Sequence, residues 1–251
     1  MNQGKFVCFS GTPCQIEGLK SYLKRDYKNL VTIDVVCRAV PSPLVFRKYV
    51  EYQEKKLADH IKTVRFRDKH YGYKYSTMNV ITDRNKGNYH QGVESDPWLR
   101  AFFSNICDRP SCHHCQFRKQ YRVSDFTIWD CFHVGHFSKV LDNDKGATRV
   151  LVHTEKGRKI FKEIAEEFQY IQLDPIKIVA GAKEMRESVL PNPKREEFFM
   201  DANKMDSVQL FQKYFPNTIK VKAEHWFRLT CNRLGIYDEV KKIYMRLKHK
   251  Y

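Results

Sequence analysis

Along the first third of the chain, short apolar runs alternate with amphipathic stretches, which predicts strand, helix, strand, helix. Lys5–Phe9 reads as a strand and Cys14–Lys24 as a helix. Leu30–Cys37 is a second apolar run, and Ser42 with Pro43 opens a helix to about Leu57. Serine is a favoured N-cap, and proline fits the first helical turn. Two strands joined through a helix predict a parallel pair with a right-handed crossover. Ile61–Asp68 and Tyr75–Thr82 read as strands, with Asn85-Lys86-Gly87 as a turn. Asp96-Pro97 starts a short helix through about Asn105, and Ser124–Phe132 and Thr148–Thr154 are further strands. Lys156–Phe168 has apolar residues at helical spacing, and Asp174-Pro175 caps another helix.

After about residue 186 the alternation stops, and Met205–Phe215, Lys222–Leu234 and Ile236–Lys248 read as helices. The whole pattern predicts an α/β or α+β fold: a central mixed sheet with flanking helices over residues 1–200, and a helical tail over 201–251. In the last helix Ile236, Tyr237, Val240, Ile243, Tyr244 and Leu247 share one face, with Lys241, Lys242, Arg246, Lys248 and Lys250 around it. That face is expected to dock on Trp226, Phe227 and Leu234 of its neighbour. The alternative is an interfacial helix on an anionic membrane surface.

Four cysteines on three segments carry the candidate chemistry. Cys14 follows Gly11-Thr12-Pro13 at a helix start, Cys37 ends the second apolar run, and Cys112 and Cys115 form a C-x-x-C in a basic loop. Cys14 and Cys37 fall beyond the carboxyl ends of neighbouring predicted strands, the edge at which open α/β sheets bind ligands. Thiolates gathered from scattered segments suit an iron–sulfur cluster, and a zinc knuckle using Cys107 or His113 is the rival on spacing alone. Cys8, Cys131 and Cys231 sit in apolar surroundings and read as buried, inert thiols. His113, His114, His133 and His136 are read as structural. Gly11 and Thr12 could offer backbone N–H groups to a phosphate. The turn holding Arg67 and Lys69, beside Tyr71 and Tyr73, could contact a flavin.

Composition narrows the setting. No apolar run reaches the length of a membrane span, and the N-terminus has no signal-peptide hydrophobic region. The eight cysteines of this 251-residue chain then read as reduced and cytoplasmic, where C-x-x-C points to metal or redox chemistry. A formal net charge of +16 suits an acidic partner, or simply a basic surface. Nucleic acid is the weaker choice, because no standard nucleic-acid signature is present.

These residues carry a resemblance. Phe9-Ser10-Gly11-Thr12-Pro13-Cys14-Gln15, Asp34-Val35-Val36-Cys37 with Val40-Pro41-Ser42-Pro43, Phe66-Arg67-Asp68-Lys69, Arg109-Pro110-Ser111-Cys112 with Cys115, and Ser124-Asp125-Phe126-Thr127-Ile128 stand in one order. With Asp144 to Gly157 they make roughly residues 5–200 similar to the C-terminal domain of the coenzyme F-420 hydrogenase/dehydrogenase beta-subunit family. The resemblance implies an oxidoreductase. It implies a [4Fe–4S] cluster on Cys14, Cys37, Cys112 and Cys115, and electron transfer with FAD and the deazaflavin coenzyme F-420. Flavin contacts are expected at Gly11, Thr12, Ser42, Arg67 and Lys69.

Bacterial relatives often belong to surface-polysaccharide systems, where intermediates are lipid-linked. Many relatives carry an upstream ferredoxin-like cysteine run. The start near the first strand leads to the expectation of a redox partner protein that supplies electrons. Two departures stand out: Cys37-Arg38-Ala39 where the family commonly has Cys-His-Gly, and Trp129 to His133 where it has Gly-Asp-Phe-Trp-Gly. The rival reading is a non-catalytic module, held by zinc or a structural cluster, that binds an acidic partner.

Overall fold

In the computed structural model, which describes residues 4–84 and 89–248, the predicted alternation is present with small shifts of boundary. Strand β1 (Val7–Gly11) leads to helix α1 (Pro13–Leu23), β2 (Leu30–Val35) and α2 (Pro43–Leu57). Then come β3 (Ile61–Asp68), β4 (Thr77–Thr82), β5 (Tyr89–Gln91) and α3 (Pro97–Phe103). β6 (Phe126–Asp130) and β7 (Thr148–Val152) precede α4 (Glu155–Ile164) and α5 (Pro175–Val179). The last helices are α6 (Arg195–Lys204), α7 (Ser207–Tyr214), α8 (Ile219–Arg233) and α9 (Tyr237–Lys248). β5 and α6 are too short or too weakly periodic to be read from sequence. The turn expected at Asn85-Lys86-Gly87 lies outside the described residues.

Local chemistry sets the helix starts. Thr12 caps α1 in a capping box, with its N–H donating to Gln15 Oε1 at 2.8 Å. Pro43 and Pro97 occupy first-turn positions, where their missing N–H costs nothing. Thr154 caps α4 by accepting from the Gly157 N–H at 3.0 Å. A Cβ on Gly157 would stand 2.8 Å from the Asp125 carbonyl oxygen, so this position requires glycine.

The chain divides into two compact units, Met1–Val40 with Pro110–Leu190 and Pro41–Arg109 with Pro191–Tyr251. This differs from a division near residue 200. The tail helices belong to the second unit, where Phe211 of α7 meets Tyr49 of α2 with ring centroids 6.1 Å apart.

The first unit is built on a mixed sheet in the order β1-β2-β6-β7. β1, β2 and β6 are parallel and β7 is antiparallel at the edge. β1 starts two residues later than its apolar run, at the point where the Val7 N–H donates to Asn29 O. The middle of the sheet holds buried polar groups. Asp34 of β2 accepts from Arg122 Nη1 at 2.9 Å, Ser124 Oγ at 3.0 Å and Thr127 Oγ1 at 2.6 Å. Asp125 accepts from the Thr32 N–H, Thr32 Oγ1 and Thr154 Oγ1. Buried carboxylates persist only with such full sets of donors.

The second unit has its own antiparallel sheet, β3-β4-β5. The central mixed sheet expected from sequence is the four-stranded sheet of the first unit, and this antiparallel sheet is a second one beside that expectation. The hydrophobic core here gathers Val45, Tyr49, Met78, Val80, Trp98, Phe198, Leu210 and Phe211. Apolar faces of α2, α3, α6 and α7 close over β4, removing large aromatic surfaces from water.

A smaller cluster of Tyr75, Leu229, Cys231 and Tyr237, with Tyr71 and Val240 against it, docks α8 and α9. The expected docking surface is corrected by this contact. Trp226, Phe227 and Leu234 are exposed, and α9 instead reaches Leu229 and Cys231 on the other side of α8. The side chains of Tyr244 and Leu247 lie outside what is described, and Ile243 is exposed.

Candidate metal centre

The residues expected to hold a cluster all lie in the first unit, with Cys14 and Cys37 just beyond the carboxyl ends of the parallel strands β1 and β2. Cys14 is the second residue of α1, directly after β1. Cys37 lies just past β2, in a segment anchored by the Val36 N–H donating to Ile128 O at 3.2 Å. Cys112 sits in a 3-10 turn, Pro110–His114, and Cys115 follows it.

Cys37 registers the other three thiols. Burial pushes its thiol up to about 11, Arg118 opposes the rise, and the nearby thiols of Cys112, Cys14 and Cys115 add to it. Interaction of one sulfur with all three others, from such distant sequence positions, places the four in a common electrostatic neighbourhood. Among the described residues, no group of three or more His, Cys, Asp or Glu side chains is arranged to hold a single metal ion. A [4Fe–4S] cluster takes one thiolate at each of its four irons.

Polar contacts prepare these sulfurs for negative charge. The Val40 N–H donates to Cys112 Sγ at 3.3 Å, and Thr12 Oγ1 lies 3.1 Å from Cys14 Sγ. The Arg118 guanidinium donates to Cys37 O at 2.7 Å and also to the carbonyls of Arg38 and Glu184. One cation thus ties the Cys37 segment to the Lys183–Met185 turn. The C-x-x-C loop is held in turn by residues 188 and 189. The Cys115 N–H donates to Ser188 Oγ at 3.0 Å, and His113 Nδ1 donates to Val189 O at 3.1 Å. His113 is therefore an anchor, and His133 stacks on His136 at 5.6 Å.

The remaining cysteines are distinct. Cys107 is buried in the second unit, and burial, with Asp108 adding, raises its thiol to about 12. Cys131 is buried as expected and accepts from Arg149 Nε at 3.4 Å. Cys231 is buried under α9. Cys8 is a correction: it is exposed, because β1 is an edge strand whose middle residues are uncovered.

The five expected flavin contacts do not gather within either unit. Gly11 and Thr12 lie in the first, and Ser42, Arg67 and Lys69 in the second. The backbone donors are engaged: the Thr12 N–H by Gln15, and the Ser42 N–H by Cys107 O at 2.8 Å. The Gln15 side chain lies against Gly11, with Oε1 2.9 Å from where a Cβ would stand. Arg67 and Lys69 flank the Tyr73 ring at 6.0 and 5.7 Å. As they stand, these residues do not fit a flavin phosphate. Trp129, at one of the departures from the family pattern, packs against Val179, Ala182 and Met185. A cavity of about 290 Å³ lies in the second unit, lined by Ser104, Asn192, Glu197 and Lys213 among others, and none of the five borders it.

Sequence reasoning missed Arg118, Val40, Ser188 and His113 as supports of the cysteines. Only Arg118 left a signal, as a cation three residues after Cys115.

Comparison with known proteins follows the same stretch of chain. Residues 4–178 match a family model that describes the C terminus of the beta subunit of coenzyme F420 hydrogenase/dehydrogenase. A chain of the F420-reducing [NiFe] hydrogenase complex from Methanosarcina barkeri is similar at 18% identity and a TM-score of 0.38. That alignment covers 83% of this chain and 60% of the hydrogenase chain. None of the curated proteins compared matches the chain.

Proposed function

The chain belongs to the coenzyme F420 hydrogenase/dehydrogenase beta-subunit family through its C-terminal domain, and from that premise we propose an iron–sulfur oxidoreductase. In this reading Cys14, Cys37, Cys112 and Cys115 ligate one [4Fe–4S] cluster, and coenzyme F-420 or a flavin stands at the other end of the electron transfer. A redox partner protein supplies the electrons. The observation that carries the reading is the placing of all four cysteines in the first unit, with the Val40 N–H on Cys112 Sγ and Arg118 on the Cys37 carbonyl, and the Cys37 thiol near enough to the other three to feel them.

When bound, such a cluster supplies one-electron transfer. The chain's own residues do the rest. Four thiols lose their protons on loading, so groups that favour thiolate favour the loaded state. The Val40 N–H and the Thr12 hydroxyl stand within hydrogen-bond reach of the Cys112 and Cys14 sulfurs. Arg118 places a permanent cation beside Cys37. Contacts of this kind stabilise the more negative state and raise a reduction potential. Ser188 and His113 position the C-x-x-C loop without touching a sulfur. The Thr12 and Ser42 N–H groups expected to hold FAD are engaged by Gln15 and Cys107 instead.

The test is anaerobic purification followed by absorption spectroscopy and iron, sulfide, zinc and flavin analysis. The expected result is brown protein with four irons and four labile sulfides per chain, as one [4Fe–4S] unit requires. Colourless protein carrying stoichiometric zinc would replace the redox reading with the metal-stabilised binding module. Retention of FAD after reconstitution would show that Gln15 yields the Thr12 N–H to a phosphate.

A further inference from the structure

The outer face of α8 is apolar, and nothing in the described chain covers it. Ile219 is 85% exposed, Trp226 63%, Phe227 57% and Leu234 67%. Helical geometry explains how they share a surface. At 3.6 residues per turn, Ile219, Ala223, Trp226, Phe227, Thr230 and Leu234 fall within an arc of roughly 100°. The opposite arc is spent on folding: Leu229 and Cys231 are buried, and Glu224, His225 and Arg228 are partly buried. The outward residues are therefore surplus to the fold of the second unit.

Charge frames this face. Lys220 flanks the apolar arc on one side, Lys222 and Arg233 on the other, and all three are exposed. The single carboxylate of α8, Glu224, points to the inner flank, where Arg228 donates to it at 3.1 and 2.7 Å. The exposed arc thus presents large apolar side chains at its centre, cations on both borders and no acid. A tryptophan and a phenylalanine bordered by lysine and arginine suit the boundary of an anionic bilayer. Rings enter the headgroup region there, and long basic side chains extend to phosphates. A second copy of this chain fits less well, since its own formal charge of +16 would oppose another cationic face.

We infer that α8 is a membrane-docking helix that lays Ile219, Trp226, Phe227 and Leu234 into an anionic lipid surface, with Lys220, Lys222 and Arg233 on the headgroups. The inference is independent of the cluster. It places a membrane contact on the outer face of α8, whereas the alternative reading of the sequence had put one on α9.

The experiment is co-sedimentation of the full chain with vesicles of phosphatidylcholine alone or mixed with phosphatidylglycerol. The chain is expected to sediment with the mixed vesicles and to stay in solution with the neutral ones. Trp226→Ala with Phe227→Ala, both at exposed positions, should abolish sedimentation while circular dichroism stays unchanged. Replacing Lys220, Lys222 and Arg233 with Gln should lower the partition coefficient about a hundredfold. Lys159→Gln with Lys162→Gln, two exposed cations of α4, should lower it far less. Equal loss in the two charge variants would reduce the effect to diffuse basic charge and overturn the inference. So would retained binding in the aromatic variant, equal binding to neutral vesicles, or a dimer in light scattering that the aromatic variant abolishes.

Discussion

Arg118 Nη1 donates to the carbonyl oxygen of Cys37 at 2.7 Å, across a sequence separation of 81 residues. The contact fixes the segment after β2 and sets a cation beside the most strongly perturbed thiol of the site. Arg118→Gln should push the Cys37 thiol above its present value of about 11, because burial and the other thiols then act unopposed. Alkylation of Cys37 against pH, followed by mass spectrometry on cluster-free protein, reads this directly. An unchanged profile would remove Arg118 from the electrostatics of the site.

Serine substitution at Cys14, Cys37, Cys112 or Cys115 should each deplete iron and labile sulfide. Cys8→Ser and Cys107→Ser should leave both at the parent level, since Cys8 is exposed on the edge strand and Cys107 is buried in the other unit. Chemical iron and sulfide analysis after anaerobic reconstitution separates the two groups. Loss of iron in Cys107→Ser without unfolding would reassign the ligand set.

The Asp34–Arg122 pair lies directly under the strand ends, with side chains 2% and 3% exposed at 2.9 Å. Arg122→Met should cost about 3–5 kcal/mol, because it strands a buried carboxylate. Ser124 and Thr127 still donate to that carboxylate, which keeps the loss toward the lower end. Adding Asp34→Asn should recover part of the loss in urea unfolding. A double variant less stable than Arg122→Met would show that the carboxylate is not the source of the penalty.

Asp96 of the second unit is fully buried and accepts from the Tyr49 and Tyr89 hydroxyls and the Leu99 N–H. Burial outweighs these donors and raises its carboxyl from 3.8 to about 6. Between those values the unfolded chain has released the proton and the folded chain retains it, so stability falls as pH rises. Relative to Asp96→Asn, the parent chain should lose about 3 kcal/mol from pH ~4 to pH ~6, and the difference should be flat on either side. Parallel urea titrations of the two proteins test this, and a constant difference across the range would overturn it.

Sequence alone determined the type of every element except β5 and α6, and the place of each candidate ligand along the chain. Apolar period and end signals are local: Thr12 with Gln15, Ser42 with Pro43, and Asp96 with Pro97 each specify a helix start within a few residues. For the same reason Cys14 and Cys37 could be placed beyond strand ends before any pairing was known. Only tertiary structure decided what those elements meet. Nothing local to Leu30–Val35 selects Phe126–Ile128 as its second neighbour, since strand pairing is settled by burial and hydrogen bonding across the whole chain. Nor does local pattern tell Tyr237, which is buried, from Trp226, which is open to solvent. Helical periodicity names a face of α8 or α9, but which face is covered depends on Tyr71 and Tyr75, more than 140 residues earlier in the chain. The support from Arg118, Val40 and Ser188 was hidden likewise, because backbone N–H and carbonyl groups carry no sequence mark until folding brings them to a sulfur or a cation.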